Sequence, residues 1–252
     1  MKKDIVAGLG EIGSPILKLL SKKQTVVGYD LDKRLVNETK LKKLQDIQTS
    51  FLHIAIPVTS KFDSNLLQLY KKFKPECIVI HSTIGPGTTE RIQKKMDVPL
   101  IYSATRGVHK RMLEDLKMYV KFFAIEDSAP KREFAINEFS SLLTKCGIKA
   151  KQVSSPVTLE LSKLVCDTSY YGWLINYAQV SKMISDKYNV DYDEMWTFAD
   201  EIHKNLGNRP KMFPGFIGGH CVIPNLKLVE DESLSQINEI NEIFKKFLES
   251  IK

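Results

Sequence analysis

Residues 4–13, Asp4-Ile5-Val6-Ala7-Gly8-Leu9-Gly10-Glu11-Ile12-Gly13, decide the fold. A short apolar run passes directly into glycines spaced GxGxxG, and an amphipathic stretch follows from Ile12 to about Lys22. Strand, glycine turn and helix in that order are the context in which this fingerprint carries physical meaning. Gly8 permits the tight turn, Gly10 lets the backbone approach a pyrophosphate, and Gly13 allows the helix to pack closely on the strand while its N-terminus faces the phosphates. The second apolar run, Thr25–Tyr29, ends in Gly28-Tyr29-Asp30. That places a carboxylate about 20 residues on, where it accepts both ribose hydroxyls of a dinucleotide. Asp30 also repels a 2′-phosphate and so favours NAD over NADP, although Lys33 and Arg34 close by pull the other way. FAD uses the same fingerprint and is the competing cofactor. The cofactor set read here is Gly8, Gly10, Glu11, Ile12, Gly13 and Asp30, with Pro57, directly after the third apolar run, beside them.

Working outward, further apolar runs at Phe51–Ile56, Cys77–His81, Leu100–Tyr102, Val120–Ala124 and Ile148–Val153 alternate with helical stretches. Those stretches are Ile12–Lys22, Asp32–Lys43, Ser60–Phe73, Thr88–Lys95 and Pro130–Cys146. Such alternation predicts βαβ units on a mostly parallel sheet, a doubly wound Rossmann domain over residues 1–154. After Ser154-Ser155-Pro156 the strand signal stops. A long helical pattern runs from about Val157 to Lys187 and another from Tyr192 to Lys204, so 155–252 reads as an all-helical domain with a long connecting helix. Pro156 suits a first helical turn, with Glu160 near the positive end of that helix's dipole. The Gly- and Pro-rich stretch Leu206–Pro224 reads as a loop and as the candidate functional loop. A last helix, about Glu230–Ile251, carries Leu234, Ile237, Ile240, Ile243, Phe244 and Phe247 at helical spacing.

With 252 residues, 43% hydrophobic and 27% charged, the chain has an ordinary globular composition, which argues against disorder. No stretch approaches ~18 uninterrupted apolar residues, so no membrane span is expected. The four cysteines, Cys77, Cys146, Cys166 and Cys221, contain no CxxC pair, and a reducing cytoplasm is the expected compartment. Lys and Arg outnumber Asp and Glu by 37 to 30. The lysines fall mostly in pairs on helix faces, without the interleaved aromatics that stack on bases, so no nucleic-acid partner is expected. His220 has no second ligand at metal-binding spacing, and no metal site is read here.

The chain resembles the UDP-glucose/GDP-mannose dehydrogenase family, and most of all its UDP-N-acetylmannosamine dehydrogenase type. Four stretches carry the likeness. Residues His81–Glu90, HSTIGPGTTE, are similar to the family's STxxPGTTE segment, and Tyr102–Arg106, YSATR, to its YxPER segment. Leu159–Leu164, LELSKL, looks like the AExxKL start of the long central helix that forms the family's dimer interface. Pro214–Pro224, PGFIGGHCVIP, looks like the PGxGxGGHCxxP active-site loop. The resemblance implies two successive hydride transfers to NAD from a nucleotide-sugar alcohol, with a cysteine adduct between them. It makes Cys221 the nucleophile and Lys163 the stabiliser of the oxyanion, with Thr83 and Thr88 at cofactor or water. His220, Asp167 and Asn225 complete the catalytic set, His220 and Lys163 favouring a thiolate. Beside Cys221 the other cysteines read as packed.

Three positions depart from the family. Its hydrolytic glutamate is Thr105, its helix asparagine is Asp167, and its loop aspartate is Asn225. An amide cannot act as the general base that a carboxylate supplies, so one hydride transfer is better supported than two. The family's third domain, which grips the nucleotide of the sugar, is expected after about Leu228, where only one helix is read. Three functional readings follow: a nucleotide-sugar-like dehydrogenase, a single-step dehydrogenase of a smaller alcohol, and a noncatalytic NAD-binding module serving a partner, which could itself supply that domain. The aromatic-rich helix over Val157–Lys187 predicts a homodimer.

Overall fold

The computed structural model describes residues 2–206, 214–228 and 235–251. Its sheet begins with β1 (Lys3–Ala7), β2 (Val26–Tyr29) and β3 (Thr49–Ile54), and continues with β4 (Cys77–Ile80), β5 (Leu100–Tyr102), β6 (Lys121–Ile125) and β7 (Ala150–Gln152). The seven strands lie in the order β2-β1-β3-β4-β5-β6-β7, and every pairing is parallel except β5 with β6. Strand order reverses at β1, so the topological switch point falls beside the carboxyl end of β1, where open α/β sheets bind their ligands.

Helices α1 (Gly13–Leu20), α2 (Glu38–Lys43), α3 (Phe62–Phe73), α4 (Thr88–Gln93), α5 (Met112–Met118), α6 (Arg132–Lys145) and α7 (Pro156–Leu161) complete the first compact unit, Met1–Leu161. The strands alternate in which core they feed, as a pleated sheet covered on both faces requires. Val6, Phe51, Val79, Ile101 and Phe123 pack with Ile16, Leu116 and Phe139 of α1, α5 and α6. Ile5, Leu52, Ile78, Leu100 and Ala124 pack with Leu66, Ile92 and Leu159 of α3, α4 and α7. Helix α7 thus belongs to the sheet unit although the strands end at Gln152.

The second unit, Ser162–Lys252, opens with a π-helix, Ser162–Ser169, that directly follows α7 in the chain. It continues with α8 (Tyr170–Lys187), α9 (Tyr192–Leu206), α10 (Val222–Leu226) and α11 (Ser235–Ser250). Its core joins Ile175, Ile217, Val222, Leu226 and Ile237. Gly172 lets this core close tightly, since a Cβ would come within 3.1 Å of Ile237 and 3.2 Å of Val222 and both side chains would have to shift by a few tenths of an ångström. Among the described residues, no helix is long and apolar enough to cross a membrane.

The structure refines several sequence expectations. The Asp32–Lys43 stretch is a 3-10 turn, Lys33–Leu35, followed by α2, because the Asn37 side chain caps the second piece by accepting from the Lys40 amide. Helix α5 went unread because it buries only Met112, Asp115 and Leu116, too short a pattern to show a period. The Val157–Lys187 pattern is interrupted by the π-helix, in which Leu164 and Ser169 are buried at a spacing of five and the Ser169 hydroxyl donates to the Leu164 carbonyl at 2.7 Å. The end of the Leu206–Pro224 loop curls into α10, while residues 207–213, and Leu234 with the start of the last helix, lie outside the described residues. On α11 the buried face is Ile237, Asn241 and Phe244, whereas Ile243 is exposed.

Candidate functional site

The turn after β1 is shaped by its glycines. Gly8 has φ +89, and a Cβ there would stand 2.4 Å from the Ala55 carbonyl oxygen. At Gly13 a Cβ would overlap the Gly8 carbonyl oxygen at 1.7 Å, so α1 can approach β1 this closely only without a side chain. Gly10 differs: a Cβ there meets nothing within 4 Å, and the residue is exposed. The protein itself has no steric need for glycine at that position, whereas a phosphate lying on the turn does. Helix α1 has no side-chain cap and no acidic residue in its first turn. The Ser14 amide donates to the Gly10 carbonyl at 3.1 Å and Pro15 has no N–H, so the turn residues before Ser14, rather than the helix itself, offer amides to an anion.

Asp30, at the end of β2, is half-buried, and its two carboxylate oxygens accept from the Leu9 amide at 2.6 Å and the Asp32 amide at 2.9 Å. It therefore ties the glycine turn to the second strand. Arg34 grips Asp32 through two nitrogens at 2.7–3.1 Å, so that guanidinium is already engaged. Glu11 lies on the exposed crest of the turn with its carboxylate 2.8 Å from His109 Nδ1, and Ile12 is half-buried against the core. Pro57 is exposed after β3, and Thr83 is half-buried after β4.

Glu160 does something the sequence reading missed. It is fully buried, and its carboxylate accepts from the Gly87 amide (2.7 Å), the Thr89 amide (3.0 Å) and the Thr89 hydroxyl (2.6 Å). It serves the start of α4 rather than the dipole of its own helix, and so fixes the segment that carries Thr83 and Thr88. Burial raises its carboxyl above the ordinary range, against the lowering effect of these hydrogen bonds. Thr105 is buried, and its hydroxyl accepts from the Lys121 ammonium at 3.0 Å, which also donates to the Ser103 and Ala104 carbonyls at 2.9 and 3.0 Å. A side chain so enclosed is not placed to handle a substrate's proton.

In the second unit, Lys163 and Asp167 both stand on the π-helix and form an ion pair at 2.5 Å, with Lys163 the more enclosed partner. Cys221 immediately precedes α10, Asn225 lies within it, and α10 packs on the π-helix, so the unit gathers these residues on neighbouring elements. His220 and Cys221 are exposed. Cys166, expected to be packed, is exposed as well, because it falls on the outer side of the π-helix. Cys77 and Cys146 are buried, and burial is the main cause that raises both thiols above their ordinary value. No disulfide forms among the four.

No protein-family model matches the chain, and no curated protein matches it by sequence. Solved structures do. The UDP-D-ManNAc dehydrogenase of Pyrococcus horikoshii superposes with a TM-score of 0.78 at 20% identity, covering 97% of this chain and 69% of its own. The NDP-N-acetyl-D-galactosaminuronic acid dehydrogenase of Methanosarcina mazei gives 0.70 at 15% identity, covering 99% of this chain and 68% of its own. The 3-hydroxyisobutyrate dehydrogenase of Mycobacterium tuberculosis gives 0.68 at 14% identity, covering 98% of this chain and 94% of its own. The chain shares their fold, a Rossmann unit followed by helices, as its sequence had indicated.

Proposed function

We propose that the chain is an NAD-dependent oxidoreductase that oxidises an alcohol carbon of a small, sugar-like substrate to the carbonyl. The observation that carries this reading is the turn Gly8–Gly13. Two of its glycines are demanded by the protein's own packing and the third, Gly10, only by something lying on top of it. When bound, the nicotinamide supplies the hydride acceptor. The chain's own residues would hold the pyrophosphate over the Gly8–Gly13 turn at the N-terminal end of α1 and the adenosine ribose on Asp30. Lys163, which is ion-paired with Asp167, would stabilise the negative charge that develops on the substrate oxygen.

The single-step form is favoured by Thr105, buried beneath Lys121, and by the amide at Asn225, since neither supplies the base that would hydrolyse an adduct on Cys221. Cys221 remains the candidate nucleophile should an aldehyde be carried further. The same fold in a hydroxyisobutyrate dehydrogenase, matched over 94% of its length, supports a smaller alcohol as substrate. We place a homodimer contact on α8, whose Tyr170, Trp173, Tyr177 and Ile184 are exposed at intervals of three, four and seven residues. The test is a screen for NADH absorbance with nucleotide sugars, sugar phosphates and simple hydroxy acids and polyols, with calorimetric titration of NAD, NADP and FAD. Reduction of NAD by one class, with NAD preferred to NADP, is the expected result. Failure to bind NAD would overturn the reading.

A further inference from the structure

Among the described residues, the backbone of Gly215 and Ile217, in the loop that presents Cys221, is held by buried amide side chains. Asn241 of α11 pairs with Ile217 at two points: its Oδ1 accepts from the Ile217 amide at 2.7 Å and its Nδ2 donates to the Ile217 carbonyl at 3.1 Å. Gln179 of α8 donates from Nε2 to the Gly215 carbonyl at 2.7 Å and to Asn241 Oδ1 at 3.1 Å. Asn176, one turn earlier on α8, donates from Nδ2 to Gln179 Oε1 at 2.8 Å and to the Ile237 carbonyl at 3.1 Å. All three are at most 1% exposed.

The orientation of each amide is dictated by the next. Because Asn176 donates to Gln179 Oε1, the Gln179 nitrogen must face Gly215 and Asn241. Because Asn241 Oδ1 already accepts twice, its nitrogen is left for the Ile217 carbonyl. Only a carboxamide offers donor and acceptor side by side in this way. Burying such groups is costly unless they are satisfied. Gln179 and Asn241 are satisfied at both polar atoms, Asn176 only at its nitrogen, and an apolar core would fill the space more cheaply, so packing alone does not account for them. What they hold is the backbone path into Gly218-Gly219-His220-Cys221, where Gly219 takes φ +74. The clamp fixes the backbone on the N-terminal side of those glycines, whose own conformational freedom is large.

We infer that Asn241, oriented by Gln179 and Asn176, is a positioning residue for Cys221 that sets how the cysteine loop is presented. This rests on the reading of that loop as the one facing substrate, but its test does not depend on turnover. In the full-length protein, the rates of iodoacetamide alkylation of Cys221 and Cys166 are followed by mass spectrometry as a function of pH. Cys166 is exposed in the same unit but outside the loop, and it serves as the internal control. In Asn241→Leu and Gln179→Leu, the ratio of the Cys221 rate to the Cys166 rate should change about fivefold, the factor equivalent to losing about 1 kcal/mol of hydrogen-bond restraint. The pH profile of the Cys221 rate should move with it, and that of Cys166 should not. An unchanged ratio and profile in variants with native circular dichroism would overturn the inference. If the variants unfold, hydrogen exchange in the wild-type protein decides instead. The Ile217 amide should exchange slowly beside a fast Gly219 amide, and equal rates would refute the clamp. Absence of dehydrogenase activity alongside a changed alkylation ratio would remove the proposed function and leave the clamp standing.

Discussion

Substituting Gly10 and Gly13 separately would divide what the glycine turn does for the protein from what it does for a ligand. At Gly13 a Cβ would sit 1.7 Å from the Gly8 carbonyl oxygen, about half of a van der Waals contact, and both atoms belong to backbone that cannot swing aside. Gly13→Ala should therefore force α1 away from β1 at a cost of about 3 kcal/mol or more. For a unit of this size that corresponds to a fall in Tm of roughly 6–12 °C. At Gly10 a Cβ meets nothing within 4 Å and the position does not need a left-handed backbone, so Gly10→Val should alter stability by no more than about 0.5 kcal/mol. Its side chain would, however, project where the pyrophosphate must approach. Overpacking costs about 1–3 kcal/mol, which weakens NAD binding by about 5- to 150-fold. Scanning calorimetry gives the first quantity and isothermal titration the second. A Gly10→Val protein that binds NAD like the wild type would show that no pyrophosphate lies over this turn. A Gly13→Ala protein with unchanged Tm would show that the close approach of α1 to β1 is not real.

Three further outcomes are expected. Iodoacetamide should label Cys166 and Cys221 before Cys77 and Cys146, whose thiols are held neutral chiefly by burial, and early labelling of either buried cysteine would contradict the packing around the sheet. His81 is buried beside Lys121 and within 3.0 Å of His53, and burial first, then those two charges, hold its imidazole well below the ordinary 6.5. The unfolded chain then binds the extra proton as pH falls below about 6.5, so stability present above that pH is lost on acidification. His81→Gln should lose less of its urea midpoint between about pH 7.5 and about pH 5.5 than the wild type does, and parallel curves would refute this. Ile184→Glu on the exposed face of α8 should convert a dimer to a monomer in light scattering; a wild-type protein already monomeric at micromolar concentration would remove the interface.

The sequence alone determined the features that depend on local chemistry and short periods. The strand running into Gly8-Leu9-Gly10-Glu11-Ile12-Gly13, the acid at Asp30 and the alternation up to Gln152 were all legible, because a glycine turn and a buried parallel strand each impose their residue types within a few positions. Tertiary structure decided what depends on residues far apart in the chain. Glu160 reads in sequence as an acid near a helix start, and only the packing of α7 against α4 shows it gripping Gly87 and Thr89. Thr105 reads as a lost glutamate, and only the fold sets Lys121 on it. Asn241 falls among Ile237, Ile240 and Phe244 on an otherwise apolar face and gives no signal, since its partners Gln179 and Ile217 lie 62 and 24 residues away. The π-helix was hidden for a related reason. Its spacing of five between Leu164 and Ser169 is close enough to a helical period to pass as one, and the wider turn appears only when the backbone hydrogen bonds are formed. A pattern in sequence reports which face of an element is buried, whereas a buried polar side chain finds its partner only once distant elements have been brought together.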